Sequence, residues 1–284
     1  MFVIAHLSDC HIDGTADRAD RLRRTLAHAT DGQRKPDVVL LTGDVADSGR
    51  PEQYLEAARL LGQVKVPVLA IPGNHDERAA FRAGLLTDSG PADVGDDDAA
   101  RDDVGGADVG DDGPLNRVRH IGAVTLLLLD STIPGEDGGR LEPASLRWLG
   151  RQLDAAARGP DRTPVILVLH HPPVTIGAPG LDAIALAEPV ALQAELARHG
   201  PVTAILCGHV HGATSAHLGT IPVLAAPGIA STFRLPWEPG GTALVDPVAQ
   251  PGLAFHVIAD DGSLTSHVRW VGAPDPTRAV GPRG

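Results

Sequence analysis

Five places along the chain end an apolar run with side chains that bind metals or move protons. They are Asp9 with His11, Asp44, Asn74 with His75 inside Gly73-Asn74-His75-Asp76, His170, and His209 with His211. Carboxylate, imidazole and amide oxygen together suit a borderline divalent ion such as Mn, Fe, Zn or Co. The seven candidates Asp9, His11, Asp44, Asn74, His170, His209 and His211 are too many for one ion. They suffice for two if one carboxylate bridges. Asp9 and His11 stand at i and i+2, as do His209 and His211, so an extended backbone would turn each pair to one side. Asp44 stands alone after its run, as a bridging carboxylate could. Two ions roughly 3.5–4 Å apart serve in-line displacement at phosphorus, polarising the phosphoryl oxygens and holding a bridging water as hydroxide. His75 is then the nearby histidine left over to assist the leaving oxygen.

Such residues converge only if the chain between them returns each strand end to one place. Residues 2–8 read as a buried strand, 17–29 as a helix with Leu22 and Leu26 at i, i+4, and 38–41 as a second strand. Pro51 opens a helix whose expected apolar face is Leu55, Ala58 and Leu61. Residues 68–71 are a third strand, running into Gly73. This β-α-β-α-β order argues a mostly parallel sheet, whose carboxyl ends are where open α/β proteins place ligands. Further on, strands are expected at 115–120, 124–129, 165–169 and 202–207, with helices at 143–157 and 188–198. The end of the chain is β-rich, with short strands at 214–218, 221–225, 242–246, 253–259 and 264–270, and Asp260-Asp261-Gly262 as a hairpin signal.

In this order, and each after a strand, the series Asp9-x-His11, Gly43-Asp44, Gly73-Asn74-His75-Asp76, His170-x-Pro172 and Gly208-His209-Val210-His211 resembles the calcineurin-like metallophosphoesterase superfamily. The resemblance spans about residues 2–270, apart from an acidic insert. It implies an α/β fold, a four-layer α-β-β-α sandwich of two mixed sheets, and two divalent or mixed-valence metal ions per chain. It implies Asp9, His11 and His211 on the first ion, Asn74, His170 and His209 on the second, and Asp44 bridging. His75, beside Asn74, matches the histidine that contacts the phosphate and assists the leaving group. Protein phosphatases of the superfamily carry GD-x-x-DRG and usually GNHE, and here stand GDVADSG and GNHDER. Gly43-Asp44 with Pro51-Glu52-Gln53-Tyr54, the stretch from Asp130-Ser131 to Leu149, and His170-His171-Pro172-Pro173 are similar to bacterial class III cyclic nucleotide phosphodiesterases. The implied activity is hydrolysis of 3′,5′-cyclic nucleotides, cAMP among them, or similar small phosphodiesters. Glycerophosphodiesterases share much of this pattern. A phosphomonoesterase or nuclease of the superfamily, or a metal-bound binding protein without turnover, is the alternative.

The chain has 284 residues and a net charge of −12. Residues 93–112 hold nine Asp against one Arg, so the acidity lies mostly in one insert. That Gly-, Asp- and Ala-rich stretch, 87–114, reads as a flexible surface loop in a domain covering 1–271, with a disordered tail at 272–284. It follows the GNHD segment closely enough to shade the cleft or reach a partner subunit, so a homodimer is compatible with it. No basic stripe suggests nucleic acid, no run suits a membrane span, and no signal peptide is visible, so the expected location is cytoplasmic. Cys10 and Cys207 read as free thiols. His6 reads as a hydrogen-bonded core residue and His171 as a support behind a ligand. His28, His120, His199, His217, His256 and His267 read as structural or solvated. Arg78 is expected to pair with a carboxylate, and Phe233 and Trp237 to pack locally rather than stack on a base.

Overall fold

The computed structural model describes residues 1–86, 113–158, 163–239 and 244–272. The expected flexible insert, except its last two residues, and the expected disordered tail beyond Gly272 lie outside the described residues.

Strand β1 (Phe2–Leu7) shows the organising principle, because alternate side chains enter different layers. Ile4 joins a cluster with Val38, Leu40, Leu69, Ile71, Leu126, Ile166 and Leu206, which fills the space between two sheets. Ala5 and Leu7 point the other way, into a cluster with Leu22, Leu26, Tyr54, Leu61 and Phe81. Those residues come from helices α1 (Ala16–Thr30), α2 (Pro51–Leu61) and α3 (Arg78–Leu85), which alternate with β2 (Val38–Thr42) and β3 (Val68–Ile71). β1, β2 and β3 pair in parallel, as the crossover helices require.

The second half builds the other sheet from β4 (Arg117–Ile121), β5 (Val124–Leu128), β6 (Val165–Val168), β7 (Ala204–Cys207), β8 (Thr214–Leu218) and β9 (Ile221–Ala225). Its order is β4-β5-β6-β7-β9-β8, parallel from β5 to β9 and antiparallel at both edges. Helices α4 (Pro143–Arg158), α5 (Pro179–Asp182) and α6 (Pro189–Arg198) cover its outer face through Trp148, Leu149, Leu153, Leu181, Leu192 and Leu196. A short ribbon, β10 (Thr232–Phe233) with β11 (Val245–Asp246), follows. The last hairpin, β12 (Gly252–Ile258) and β13 (Leu264–Trp270), returns to the first sheet, giving the order β13-β12-β1-β2-β3. The layers are therefore helix, sheet, sheet, helix, as expected, and both sheets are mixed.

One local expectation fails. Leu55 does not belong to the apolar face of α2: it is 67% exposed, whereas Leu61 is buried and Ala58 packs on the core as expected, joined by Tyr54, Ala57 and Leu60. Packing between α1 and α3 sets the buried face, and the Tyr54 hydroxyl turns inward to a carboxylate (below). The short α5 and β10 carry too little periodicity to be read from sequence.

Candidate metal centre

Each candidate ligand lies just past a strand: Asp9 and His11 after β1, Asp44 after β2, Asn74 and His75 after β3, His170 after β6, and His209 and His211 after β7. The two sheets thus present their carboxyl ends to one cavity. The reason the i, i+2 pairs converge is not the expected one. Asp9, His11, Asp44, His209 and His211 all have left-handed backbones, with φ of 54°, 44°, 49°, 70° and 48°. An extended pair would share a face of the strand, whereas left-handed residues curl the chain around the cavity. Non-glycine residues adopt this conformation at a cost of roughly 1–3 kcal/mol each, so surrounding bonds must hold them. His11 N–H donates to the Asp44 carbonyl at 2.9 Å, and the Asp9 and His211 carbonyls accept from Ala230 at 2.9 Å and Gly228 at 3.1 Å.

The side chains form two groups that meet at Asp44. His11 Nε2 lies 3.5 Å from Asp44 Oδ2 and 3.2 Å from His211 Nε2, which is itself 3.6 Å from Asp9 Oδ1. His170 Nε2 lies 3.5 Å from Asp44 Oδ1 and 3.1 Å from Asn74 Oδ1, and Asn74 Oδ1 is 3.0 Å from His209 Nδ1. One carboxylate therefore turns one oxygen to each group. Asp9, Asp44, His11, His170, His209 and His211 are buried, Asn74 half-buried and His75 exposed. Outer partners fix the rings. His170 Nδ1–H donates to the Thr42 carbonyl at 2.6 Å, and Ser231 Oγ lies 2.8 Å from His211 Nδ1.

These contacts test whether cations fit. Because His170 Nδ1 carries the proton given to Thr42, its Nε2 lone pair faces the oxygens of Asp44 and Asn74. Atoms with lone pairs thus point at one another, which is favourable only around positive charge. Where no cation stands, a second proton on His170 Nε2 supplies that positive charge instead. Burial opposes an imidazolium at His170, yet the Asp44 carboxylate outweighs it and raises that ring to about 9. Asp44 is held well below the usual carboxylate range: burial works against this, and His170 and His11 prevail. Burial, then the charge of His170, pushes His209 down to about 3. Asp9 Oδ2 is buried with no hydrogen-bond donor. The donor set of imidazoles, carboxylates and one amide oxygen suits borderline divalent ions.

Several residues outside the ligand set support the site. Asp76 binds two loops together: its carboxylate accepts from Val45, Ala46 and Gly73 N–H at 3.1, 2.9 and 2.9 Å and from the Tyr54 hydroxyl at 3.0 Å. Burial, then Asp44, pushes Asp76 up to about 6. Asp47 stands 3.4 Å from His11 Nδ1, and its carbonyl accepts from His75 Nδ1–H at 2.7 Å. His171 is a support rather than a ligand. Its Nε2–H donates to the Asp137 carbonyl at 3.2 Å, and its Nδ1 accepts from Ser131 at 2.8 Å. Arg78 pairs with Asp130 at 2.8 Å, as expected. Cys10 packs into the helix-side core, and both cysteines are buried and free. Phe233 sits with its ring 4.6 Å from His211, while Trp237 is largely exposed. Beside Asn74 and His75 opens a cavity of about 340 Å³, walled by Ser48, Gly49, Arg78, Thr132, Ile133 and Pro134.

Residues 2–213 match the model of the calcineurin-like phosphoesterase family. A cAMP/cGMP dual specificity phosphodiesterase of Mycobacterium tuberculosis is 32% identical over 252 residues, covering 85% of this chain and 71% of that protein. A 3′,5′-cyclic adenosine monophosphate phosphodiesterase of Pseudomonas aeruginosa is 29% identical, covering 94% and 89%. A glycerophosphodiester phosphodiesterase of Enterobacter lignolyticus is also 29% identical, covering 89% and 86%. A dimetal phosphatase from Danio rerio shares the fold with a TM-score of 0.64 at 14% identity, over 95% of this chain and 99% of that one. The chain belongs to the calcineurin-like phosphoesterase family.

Proposed function

We propose that this chain is a binuclear metal-dependent phosphodiesterase acting on 3′,5′-cyclic nucleotides such as cAMP, or on similarly small phosphodiesters. The carrying observation is Asp44, whose two oxygens each stand 3.5 Å from an imidazole of a different ligand group. Asp9, His11 and His211 would hold one ion and Asn74, His170 and His209 the other, with Asp44 shared. Manganese, iron, zinc or cobalt would suit that donor set. When bound, such ions supply Lewis-acid polarisation of the phosphoryl oxygens and lower the pKa of water.

The chain's own residues do the rest. Left-handed turns and the Thr42 and Ser231 contacts preset the ligand rings, so no reorganisation is needed when charge develops at phosphorus. His75 gives its Nδ1–H to the Asp47 carbonyl, which leaves Nε2 as the atom that, in the imidazolium form, would pass a proton to the leaving oxygen and end as its acceptor nitrogen. Asn74, next to it in the chain, would serve the same step while its Oδ1, beside His170 and His209, holds the second ion. The cavity beside them has room for the sugar and base, with Ile133 and Pro134 as an apolar wall. The cyclic-nucleotide reading draws on the mycobacterial and pseudomonad relatives, and the Enterobacter relative makes glycerophosphodiesters the second reading. The reading takes residues 1–271 as one catalytic domain. It includes a cytoplasmic setting, which the two buried free thiols suit, and a homodimer, which sedimentation would test. Among the described residues no helix is long and apolar enough to cross a membrane.

The test is turnover. Chain loaded with Mn(II) should hydrolyse cAMP and a bis-aryl phosphate, and EDTA should stop both reactions. No hydrolysis of any phosphodiester or phosphomonoester with Mn, Fe, Zn or Co would leave only a metal-bound binding protein.

A further inference from the structure

Among the described residues, the largely apolar layer between the sheets holds Arg117 of β4, which donates to the Ala70 carbonyl, and a continuous string of smaller polar side chains. Ser266 on β13, His256 on β12, His6 on β1, Thr42 at the end of β2 and Ser8 just past β1 all turn into this layer, on the faces shared with Ile258, Ile4 and Leu40. Successive distances are 2.7 Å from Ser266 Oγ to His256 Nδ1, 3.0 Å from His256 Nε2 to His6 Nδ1, and 2.9 Å from His6 Nε2 to Thr42 Oγ1. Thr42 Oγ1 then meets Ser8 Oγ at 2.8 Å, and Ser8 Oγ meets the Thr42 carbonyl at 3.1 Å.

The carbonyl end sets every direction, because a carbonyl only accepts. Ser8 must give its proton to the Thr42 carbonyl. Thr42 gives its own to Ser8, rather than to the Leu7 carbonyl at 3.5 Å. His6 therefore donates from Nε2 and accepts at Nδ1, and His256 donates from Nε2 and accepts from Ser266. Each ring carries one proton, and each donor has one acceptor. Burial, which drives His6 well below its ordinary value and His256 down to about 4, agrees with two neutral rings. The string ends on the carbonyl that takes the His170 Nδ1 proton at 2.6 Å. It is closed from above by Gly208, where an added Cβ would run into Ser8 Oγ and the Thr42 carbonyl and come within 3.1 Å of His170 Nδ1.

We propose that His6 and His256, which ligate nothing, are positioning residues for the second metal subsite. Through Thr42 and Ser8 they fix the carbonyl that holds His170 in the tautomer and orientation aiming Nε2 at Asp44 and Asn74. The proposal rests on the binuclear reading and goes beyond it. A hydrogen-bonded string starting at an exposed residue of the edge strand β13 thereby bears on the metal centre, and the polar string is placed where an apolar side chain would pack as well but orient nothing.

The experiment is a calorimetric titration of metal-free protein with Mn(II), with elemental analysis of the loaded samples, on wild type, Thr42→Val, Thr42→Ser, His6→Leu and His6→Gln. Thr42→Val keeps the shape and removes the hydroxyl, and His6→Gln keeps a donor near the place of Nε2. Losing an outer partner of a metal-binding histidine lowers metal affinity about 10–100-fold. One binding step should therefore weaken about tenfold or more in Thr42→Val and His6→Leu. The other step, assigned to Asp9, His11 and His211, should stay within about twofold of wild type. Thr42→Ser and His6→Gln should recover most of the affinity. A merely structural role would weaken both steps together and would not be restored by the conservative changes, so that result overturns the proposal, as does unchanged binding in Thr42→Val. Should His6→Leu fail to fold, the Thr42 pair decides alone. Wild type binding fewer than two ions would instead sink the binuclear reading and this proposal with it.

Discussion

Gly73→Ala isolates the geometry of the centre from its chemistry, because it changes no ligand. Gly73 has an ordinary backbone conformation, outside the left-handed region, so alanine meets no φ penalty. What it meets is the site itself: an added Cβ would lie inside the contact distance of Asp44 Oδ1 and Asp44 N, and 2.8 Å from His170 Cε1. Carbon atoms rest about 3.5 Å apart or more, so the His170 ring must retreat by roughly 0.7 Å and the Asp44 carboxylate by about 1 Å. Metal–ligand distances tolerate only about ±0.2 Å. Misplacement by about 1 Å costs on the order of 100-fold in rate. Stability should suffer much less. Overpacking costs about 1–3 kcal/mol, and the stiffer unfolded chain offsets about 0.4–1 kcal/mol of it. At about 2–4 °C per kcal/mol, the melting temperature of metal-free protein should fall by about 10 °C or less. The assay pairs that melt with metal content after dialysis and with turnover of a bis-aryl phosphate. A variant that keeps both ions and turns over within about threefold of wild type would refute the view that Gly73 is small so that Asp44 and His170 can approach.

The same structure sets three further outcomes. His75→Ala should keep both ions and lose about 100- to 10,000-fold in kcat on diesters with poor leaving groups, and far less on aryl diesters; equal losses on both would remove His75 from proton transfer. Ile133→Trp should fill part of the cavity and lower kcat/KM for cAMP at least about tenfold while leaving a dimethyl phosphate-sized diester nearly untouched; unchanged cAMP kinetics would move the base elsewhere. His256 is held neutral at about 4 in the folded chain against about 6.5 when unfolded, so its contribution is present above pH 6.5 and is lost as pH falls through 4. That is worth about 3 kcal/mol between pH 7 and pH 4, so urea midpoints of metal-free wild type should fall more steeply with acid than those of His256→Gln. Parallel slopes would contradict a neutral buried His256.

Much of the site was legible because its parts are local. An apolar run followed at once by Asp, His or Asn can be read wherever it occurs, and Asp9, His11, Asp44, Asn74, His75, His170, His209 and His211 were all found that way. The helix-alternating first half likewise announces parallel strands, since the apolar period changes with each element. The exposure of Leu55 and the burial of Tyr54 were not legible, because α2 alone offers two nearly equivalent apolar faces and its neighbours choose between them. Asp76 stood out within the GNHD stretch, but its role and that of Asp47 were not legible, because they consist of bonds to residues distant in the chain or on another loop.

By itself the sequence determined which candidate ligands the chain carries, since residue types and the strands ahead of them are properties of short segments. Only the tertiary structure decided how those ligands meet. The extended backbone expected for the Asp9–His11 and His209–His211 pairs is in fact left-handed, a conformation that isolated peptides avoid and that persists here only because bonds from Gly228, Ala230 and the Asp44 carbonyl hold it. The same holds for His170, whose ring is aimed by a carbonyl 128 positions earlier in the chain. Strain and tautomer are set by contacts between distant parts of the chain, and no local pattern of residues encodes them.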